Sequence, residues 1–151
     1  MHHIPGASAV NRVTFRSETN SAAAVTLTYT GTSALNYVLK LDSVDYVTWK
    51  AITIKPAGTS NARGVVYAKG SSYDSIAACA IPLPASTSTS ANASGIYGDE
   101  CIGSGNVITG NTITKGSNGI YWEGSYSAVT PGLVIDSNIV ETPYSKGIHV
   151  E

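Results

Sequence analysis

The sequence predicts an all-β solenoid: about five coils of short parallel strands stacked along one axis, without a capping helix. Three observations lead there. Apolar residues almost never recur at helical spacing, while β-branched residues alternate with small polar ones in short runs. One phrase, "NVITGNTIT" (Asn106 to Thr114), returns as "LVIDSNIVE" (Leu133 to Glu141), as "YVTWKAITI" (Tyr46 to Ile54) and more loosely as "SIAACAIPL" (Ser75 to Leu83). A second phrase, glycine followed by an apolar residue, alternates with the first, at Gly64-Val65, Gly95-Ile96, Gly119-Ile120 and Gly147-Ile148.

In chain order the strand-forming runs are "RVTFRS", "AVTLTYT", "NYVLKL", "YVTWKAITIK", "GVVYAKG", "NVITGNTIT", "GIYWEG" and "LVIDSNIVE", separated by Gly, Ser, Asn and Pro. Taken at Lys50, Cys79, Asn111 and Asn138, the first phrase recurs after 29, 32 and 27 residues. Taken at its glycine, the second recurs after 31, 24 and 28. Such a unit is too short for a propeller blade of about 40–45 residues, and it lacks the helical side of a leucine-rich repeat. A coil of three short strands and three turns fits. Length variation then falls in turns such as "GTSNARG" (58 to 64) and the low-complexity "ASTSTSANASG" (85 to 95), a solvated turn rather than a linker, because the repeat resumes in phase beyond it.

Parallel stacking puts like residues about 4.8 Å apart, so about five coils make a rod roughly 24 Å long. Asn111 above Asn138 is then a hydrogen-bonded amide ladder at a tight bend, which Lys50 and Cys79 interrupt. Ile52, Ile81, Ile113 and Val140 are expected as one inward column, and Val47, Ile76, Ile108 and Ile135 as another. The glycine of the second phrase reads as a turn position needing positive φ.

At 151 residues the chain is expected to be one domain, 1–151, with a sizeable core. A formal charge of −1 with 13% charged residues leaves no electrostatic footprint for nucleic acid. No apolar run approaches the roughly 20 residues that insert into a bilayer. "MHHIPGASAV" lacks the basic start and apolar stretch of a signal peptide, and His2 and His3 read as a remnant rather than a site. Cys79 and Cys101 have no metal-ligand spacing; whether they pair stays open.

The stretches "RVTFRSE", "VTLTYTGTSALNYVLKLDSVDYVTWKAITIKPAG" and "NVITGNTITKGSNGIYWEGS" resemble the right-handed parallel β-helices of the pectin-lyase-like superfamily, and most of all the repeat regions of secreted bacterial surface proteins. The likeness spans roughly Ile4 to Glu151. It implies an extracellular or cell-surface location, carbohydrate as the ligand class, and an excerpt of a longer solenoid. The fold alone assigns no activity.

Enzymes of that superfamily gather acids and a basic residue on one outer sheet. Here Asp99, Glu123 and Glu151 each fall three or four residues beyond the repeated Gly-Ile, with Glu100 beside them. The plain reading is a solvated row. No cofactor is read from it; a calcium ion relieving the stacked charges is the one candidate, and the six to eight oxygens it takes are not visible. No basic residue repeats alongside: Arg12, Arg16 and Arg63 are scattered, and Lys115 and Lys146 fall in turns. His149 is the sole histidine of the repeat, no serine has a nucleophile-elbow context, and "GSGNV" is no phosphate loop. No catalytic residue is assigned.

Tyr97, Tyr121 and His149 follow Gly-Ile in three successive coils, and alternation turns them outward as an aromatic ladder. Such rows stabilise a sheet, and they can also stack on sugar rings beside acids such as Asp99 and Glu123. Trp49 and Trp122 read as core or turn cover. The resulting expectation is a noncatalytic extracellular module with a carbohydrate-binding, scaffold or adhesion role, self-associating through coil ends or a sheet face. The alternative is a lyase or glycoside hydrolase acting on an acidic polysaccharide. A third reading, an ice-binding face, rests on Thr26, Thr28 and Thr30 alone.

Overall fold

The computed structural model describes residues 1–125 and 131–151, and the main chain alone of Asp99. Among the described residues, fifteen strands run through five stacked coils. The first coil holds β1 (Val13–Arg16), β2 (Thr26–Tyr29) and β3 (Leu39–Asp42). The second holds β4 (Val47–Lys50), β5 (Thr53–Pro56) and β6 (Val65–Ala68), and the third β7 (Ser75–Ala77), β8 (Ala80–Pro82) and β9 (Ser94–Cys101). The fourth holds β10 (Val107–Thr109), β11 (Thr112–Thr114) and β12 (Asn118–Gly124), and the fifth β13 (Val134–Asp136), β14 (Ile139–Glu141) and β15 (Lys146–Val150).

Every third strand pairs in parallel, giving three five-stranded sheets: β1-β4-β7-β10-β13, β2-β5-β8-β11-β14 and β3-β6-β9-β12-β15. From β1 to β15 the described residues form a parallel β-solenoid of about four turns, its sheets five strands deep. Its only helical pieces among the described residues are two three-residue 3₁₀ turns, Ala22–Ala24 and Ala91–Ala93.

Inward positions form the core. The first sheet stacks Phe15, Trp49, Ile76, Ile108 and Ile135. In the second, Leu27 faces Ile54, and Ile81, Ile113 and Val140 continue the row, since Thr53 opposite Ala80 brings Ile54 level with Ile81. The third stacks Leu39, Val65, Ile96, Ile120 and Ile148. Two expected columns are thus corrected in their earliest member. Ile54 stands where Ile52 was expected, and Trp49 where Val47 was. A two-residue slide preserves which face each side chain occupies, so hydrophobic alternation does not detect it.

The corner between the first and second sheets is two residues long in each of the last four coils. Its first residue is left-handed: Ala51 (φ 52°), Ala78 (φ 50°), Gly110 (φ 64°) and Ser137 (φ 54°). Its second is the column Ile52, Cys79, Asn111, Asn138. Lys50 is not in this column; it lies opposite Ala77 on the exposed face.

The amide ladder is present. Asn111 Nδ2 donates to Asn138 Oδ1 at 2.9 Å, and the same oxygen accepts the Asn111 main-chain N–H at 3.0 Å. One coil down, Asn111 Oδ1 accepts from Cys79 N at 2.9 Å while Asn111 Nδ2 reaches Ile76 O at 2.9 Å. Asn138 Nδ2 likewise donates to Ile108 O at 2.8 Å. Each amide therefore bonds to main-chain groups of the coil before it. Asn138→Ala is expected to cost about 1–2 kcal/mol and the fully buried Asn111→Ala about 1–3 kcal/mol in denaturant melts. Losses under about 0.3 kcal/mol for both would show that water replaces the rungs freely.

A second ladder, not anticipated, occupies the corner between the third and first sheets. Asn106 Oδ1 accepts from Asp74 N at 3.1 Å and its Nδ2 donates to Ser71 O at 2.8 Å. Asp74 Oδ1 in turn accepts from Val47 N at 2.8 Å. A left-handed residue again occupies this corner in successive coils: Tyr46, Tyr73, Gly105 and Gly132, of which Tyr73 and Gly105 precede the rungs. The Tyr46 and Tyr73 rings stack at 5.0 Å.

The glycines of the repeated Gly-apolar phrase are not at positive φ. They are required by close approach instead. A Cβ on Gly64 would sit 2.5 Å from Gly95 O and 2.7 Å from Ile81 Cγ2, and one on Gly95 would meet Ile113 Cγ2 at 2.5 Å and Gly119 O at 2.7 Å. The glycine column lets the third sheet lie close to the aliphatic column of the second.

Candidate functional site

Two surfaces on or beside the third sheet gather polar and aromatic side chains. The first is its outer face. Strand register brings Tyr97, Tyr121 and His149 into one line. Tyr97 and Tyr121 are stacked at 5.7 Å and 17°, and the Tyr121 and His149 rings lie 4.7 Å apart. Two cations join them, although their sequence positions gave no hint of it. Arg63 lies 3.6 Å over the Tyr97 ring, anchored through Nε to Ala91 O at 3.0 Å and Nη2 to Asn92 Oδ1 at 3.4 Å. Lys146, which opens β15 instead of falling in a turn, lies 5.4 Å from the Tyr121 centroid, and its Nζ is 3.4 Å from His149 Nδ1. The far imidazole nitrogen of His149 meets Glu151 Oε2 at 3.2 Å.

The stacking direction decides what this ladder offers. Its ring faces point along the solenoid axis into one another and into Arg63, and Tyr97 is only 8% exposed. Ring edges, phenol groups and the Lys146–His149–Glu151 cluster face outward, not broad ring faces.

The acidic members are placed as follows. Gly124 N donates to Glu151 O at 2.8 Å and Glu151 N to Trp122 O at 3.0 Å, so Glu123 faces Glu151 on the next coil. Between β9 and β12 the register slips, leaving Asp99 and Glu100 opposite the single residue Glu123. Glu100 takes the left-handed conformation of this bulge (φ 46°). The Asp99 carboxylate lies outside the described residues. Among those described, no three of His, Cys, Asp and Glu converge as metal ligands would. Cys79 and Cys101 are buried and no disulfide joins them. Trp122 is in the core, and Trp49 is half-buried against Phe15 at 4.4 Å. The outward threonines Thr26 and Thr28 are followed by Thr53 and Lys55, then Ala80 and Pro82, so no continuous threonine array forms.

The second surface is the corner between the second and third sheets. Its five connections hold nine, eight, eleven, three and four residues. The long third one, Leu83 to Ala93, carries the Ser/Thr-rich run and stands above the short fourth. A trough results, about 270 Å³ in volume, lined by hydroxyls of Thr59, Ser60, Ser86, Ser88 and Ser117 and by Asn92. A further depression of about 460 Å³ shares Ala85 and Ser86 with it and runs past Lys115 and Thr142 to Tyr144. The Tyr144 ring is 55% exposed, while its main chain is held by Tyr144 N donating to Gly116 O at 3.0 Å. Ser86 and Ser117 hydroxyls meet at 2.9 Å across the trough floor. Arg63 links the two surfaces, since Asn92 lines the trough and Tyr97 belongs to the ladder. The low-complexity composition of residues 85 to 95 was the one sequence signal for the trough.

The chain matches no protein-family model, no curated protein and no solved structure.

Proposed function

We propose that the chain is a noncatalytic, extracellular β-solenoid module of the pectin-lyase-like kind, binding carbohydrate along the trough at the corner between the second and third sheets. The observation that carries this reading is the trough's lining. Within the trough, neutral hydroxyls and one amide offer donors and acceptors, as a polyol ligand needs, and the adjoining depression adds the Lys115 ammonium and the exposed Tyr144 ring, which can stack on a sugar face. The trough crosses several coils, which suits an extended saccharide more than a compact metabolite. The edges of the Tyr97–Tyr121–His149 ladder, with Glu123, form a polar margin beyond Arg63.

A glycan array followed by titration calorimetry on the hits tests this. Tyr144→Ala is expected to weaken binding by about 2- to 10-fold, the worth of one aromatic stack. Incubating the chain with acidic polysaccharides, with and without calcium, supplies the opposing outcome. Unsaturated or hydrolysed products would overturn the noncatalytic reading, and a blank array would remove the carbohydrate one.

A further inference from the structure

We propose that the trough at the corner between the second and third sheets takes the sulfate half-ester of a sulfated saccharide. This rests on the carbohydrate reading above and narrows it to one ligand class. The reason lies in the run from Ser86 to Asn92. At every second residue a serine oxygen accepts a main-chain N–H from two residues further on: Ser86 Oγ from Ser88 N at 3.1 Å, Ser88 Oγ from Ser90 N at 3.1 Å and Ser90 Oγ from Asn92 N at 3.3 Å. Each hydroxyl has thereby spent acceptor capacity on its own backbone and keeps its O–H. Ser86 turns its hydroxyl to Ser88 O at 3.4 Å and to Ser117 Oγ at 2.9 Å. Among the described residues the Ser88 and Ser90 hydroxyls donate to no protein group.

Asn92 ends the run with the same polarity. Its Oδ1 accepts from Arg63 Nη2 at 3.4 Å, which leaves the two Nδ2 hydrogens as the amide's offering to the trough it lines. The segment is braced from the coils before it. Arg63 Nε donates to Ala91 O at 3.0 Å, while Ala62 N and Asn36 Nδ2 donate to Asn92 O at 2.8 Å and 3.0 Å. The donors are thus held in place before a ligand arrives, which lowers the cost of binding.

The free capacity of the trough is therefore weighted toward donors. Among the described residues no carboxylate lines it or the adjoining depression, where Lys115 supplies a cation. Glu141, close to that depression in sequence, is turned to the outer face of the second sheet. Such a cleft suits a charged group that only accepts, because hydrogen bonds to an oxyanion are the stronger class. A sulfate half-ester is such a group: its three terminal oxygens accept and carry no proton. A phosphate monoester still exchanges a proton near its second pKa of about 6, and no acceptor stands in the trough to receive it. A sugar carboxylate brings two oxygens to three donor side chains. From a sulfate seated at Ser88, Ser90 and Asn92, the shared wall at Ser86 leads the sugar toward Tyr144.

An array of galactan and dextran in sulfated, carboxymethylated and unsubstituted forms tests it, followed by titration calorimetry at physiological salt. The sulfated forms are expected to bind tighter than the unsubstituted ones by roughly 10-fold or more. Asn92→Asp is the key variant, since it keeps Oδ1 toward Arg63 and replaces the Nδ2 donors by a charged acceptor. It should weaken binding of the sulfated form by roughly 10-fold or more and of the unsubstituted form by about 2-fold at most. Its melting temperature should match the parent's, because Arg63 gains an ion pair. Lys50→Gln, on the outer face of the first sheet, should leave both affinities unchanged, which separates the trough from general attraction of polyanions. Unsubstituted or carboxymethylated glycans bound as tightly as sulfated ones would overturn the sulfate assignment and leave the carbohydrate reading standing. Sulfated binding that survives Asn92→Asp, or that falls with Lys50→Gln, would overturn it as well. A blank array would remove both.

Discussion

Asp74→Asn is expected to raise the stability of the chain at pH 8, on the order of 2 kcal/mol, and to change it little near pH 4. The reason lies in the pattern of the ladders. Each amide rung accepts from the main-chain N–H below it and donates to the carbonyl three residues before that N–H: Asn106 to Ser71, Asn111 to Ile76, Asn138 to Ile108. Asp74 satisfies the first half through Val47 N. For the second half it turns a carboxylate oxygen toward the place where an amide would donate, the corresponding carbonyl being that of Val44. This Oδ2 is buried with no hydrogen-bond partner.

Burial pushes the Asp74 carboxyl up to about 7; the Val47 N–H bond opposes this, the nearby Asp45 adds to it, and Arg12 works against it. Tyr67, itself pushed well above its usual range by burial and then by Asp74, is a further titratable group nearby. The folded chain thus holds a proton that the unfolded chain, near the ordinary 3.8, gives up. The stabilisation is complete below the unfolded value and is lost as pH rises through about 7. Melts from pH 4 to pH 8 check this: the parent should lose stability across the range more steeply than Asp74→Asn. Parallel curves for the two would mean that Asp74 is no protonated rung.

The second large effect concerns the third sheet's interior. Trp122→Ala is expected to cost about 3–5 kcal/mol, as for a large aromatic removed from a close-packed core. Trp122 is among the largest fully buried side chains and rests against Tyr67 at 5.2 Å. Gly98, between them in register, makes the room: a Cβ there would lie 2.7 Å from Trp122 Cδ2. Gly98→Ala alone should therefore destabilise by about 1–3 kcal/mol. Combined with Trp122→Ala, it should cost less than the two separate losses together, because the new methyl enters the vacated space. Strict additivity in denaturant melts would show that the glycine serves some other purpose.

Much of the fold was legible because the repeat states its own register where it is most regular. The Gly-Ile phrase placed Ile96, Ile120 and Ile148 level, and the shared Asn slot placed Asn111 over Asn138. The register faded toward the first coils, where "VTWKAITI" offers apolar residues at every second position and a slide of two leaves the inward face intact. The glycine column was visible while its cause was not, since a sequence shows a missing side chain without showing what would collide with it. Asn106 and Asp74 each stand five residues before the corner residues Asn111 and Cys79, and that recurrence was the available signal for the second ladder. The candidate site was less legible. The outward line of Tyr97, Tyr121 and His149 followed from alternation, but the direction of the rings and the arrival of Arg63 depend on contacts between coils. The hydroxyl trough arises from unequal corner lengths, which become a shape only once the coils are stacked.

Those unequal corners have a consequence of their own. The two-residue corners of the last four coils recur unchanged, whereas the corner between the second and third sheets ranges from three to eleven residues while the order of strands in each sheet stays the same. The solenoid thus works like a rack with fixed slots: the height of a coil and the chemistry it displays are written in different stretches of chain. Residues can be added or exchanged at the variable corner without moving the coil above or below. A surface of this kind can acquire a new ligand one shelf at a time while its frame stays as it was.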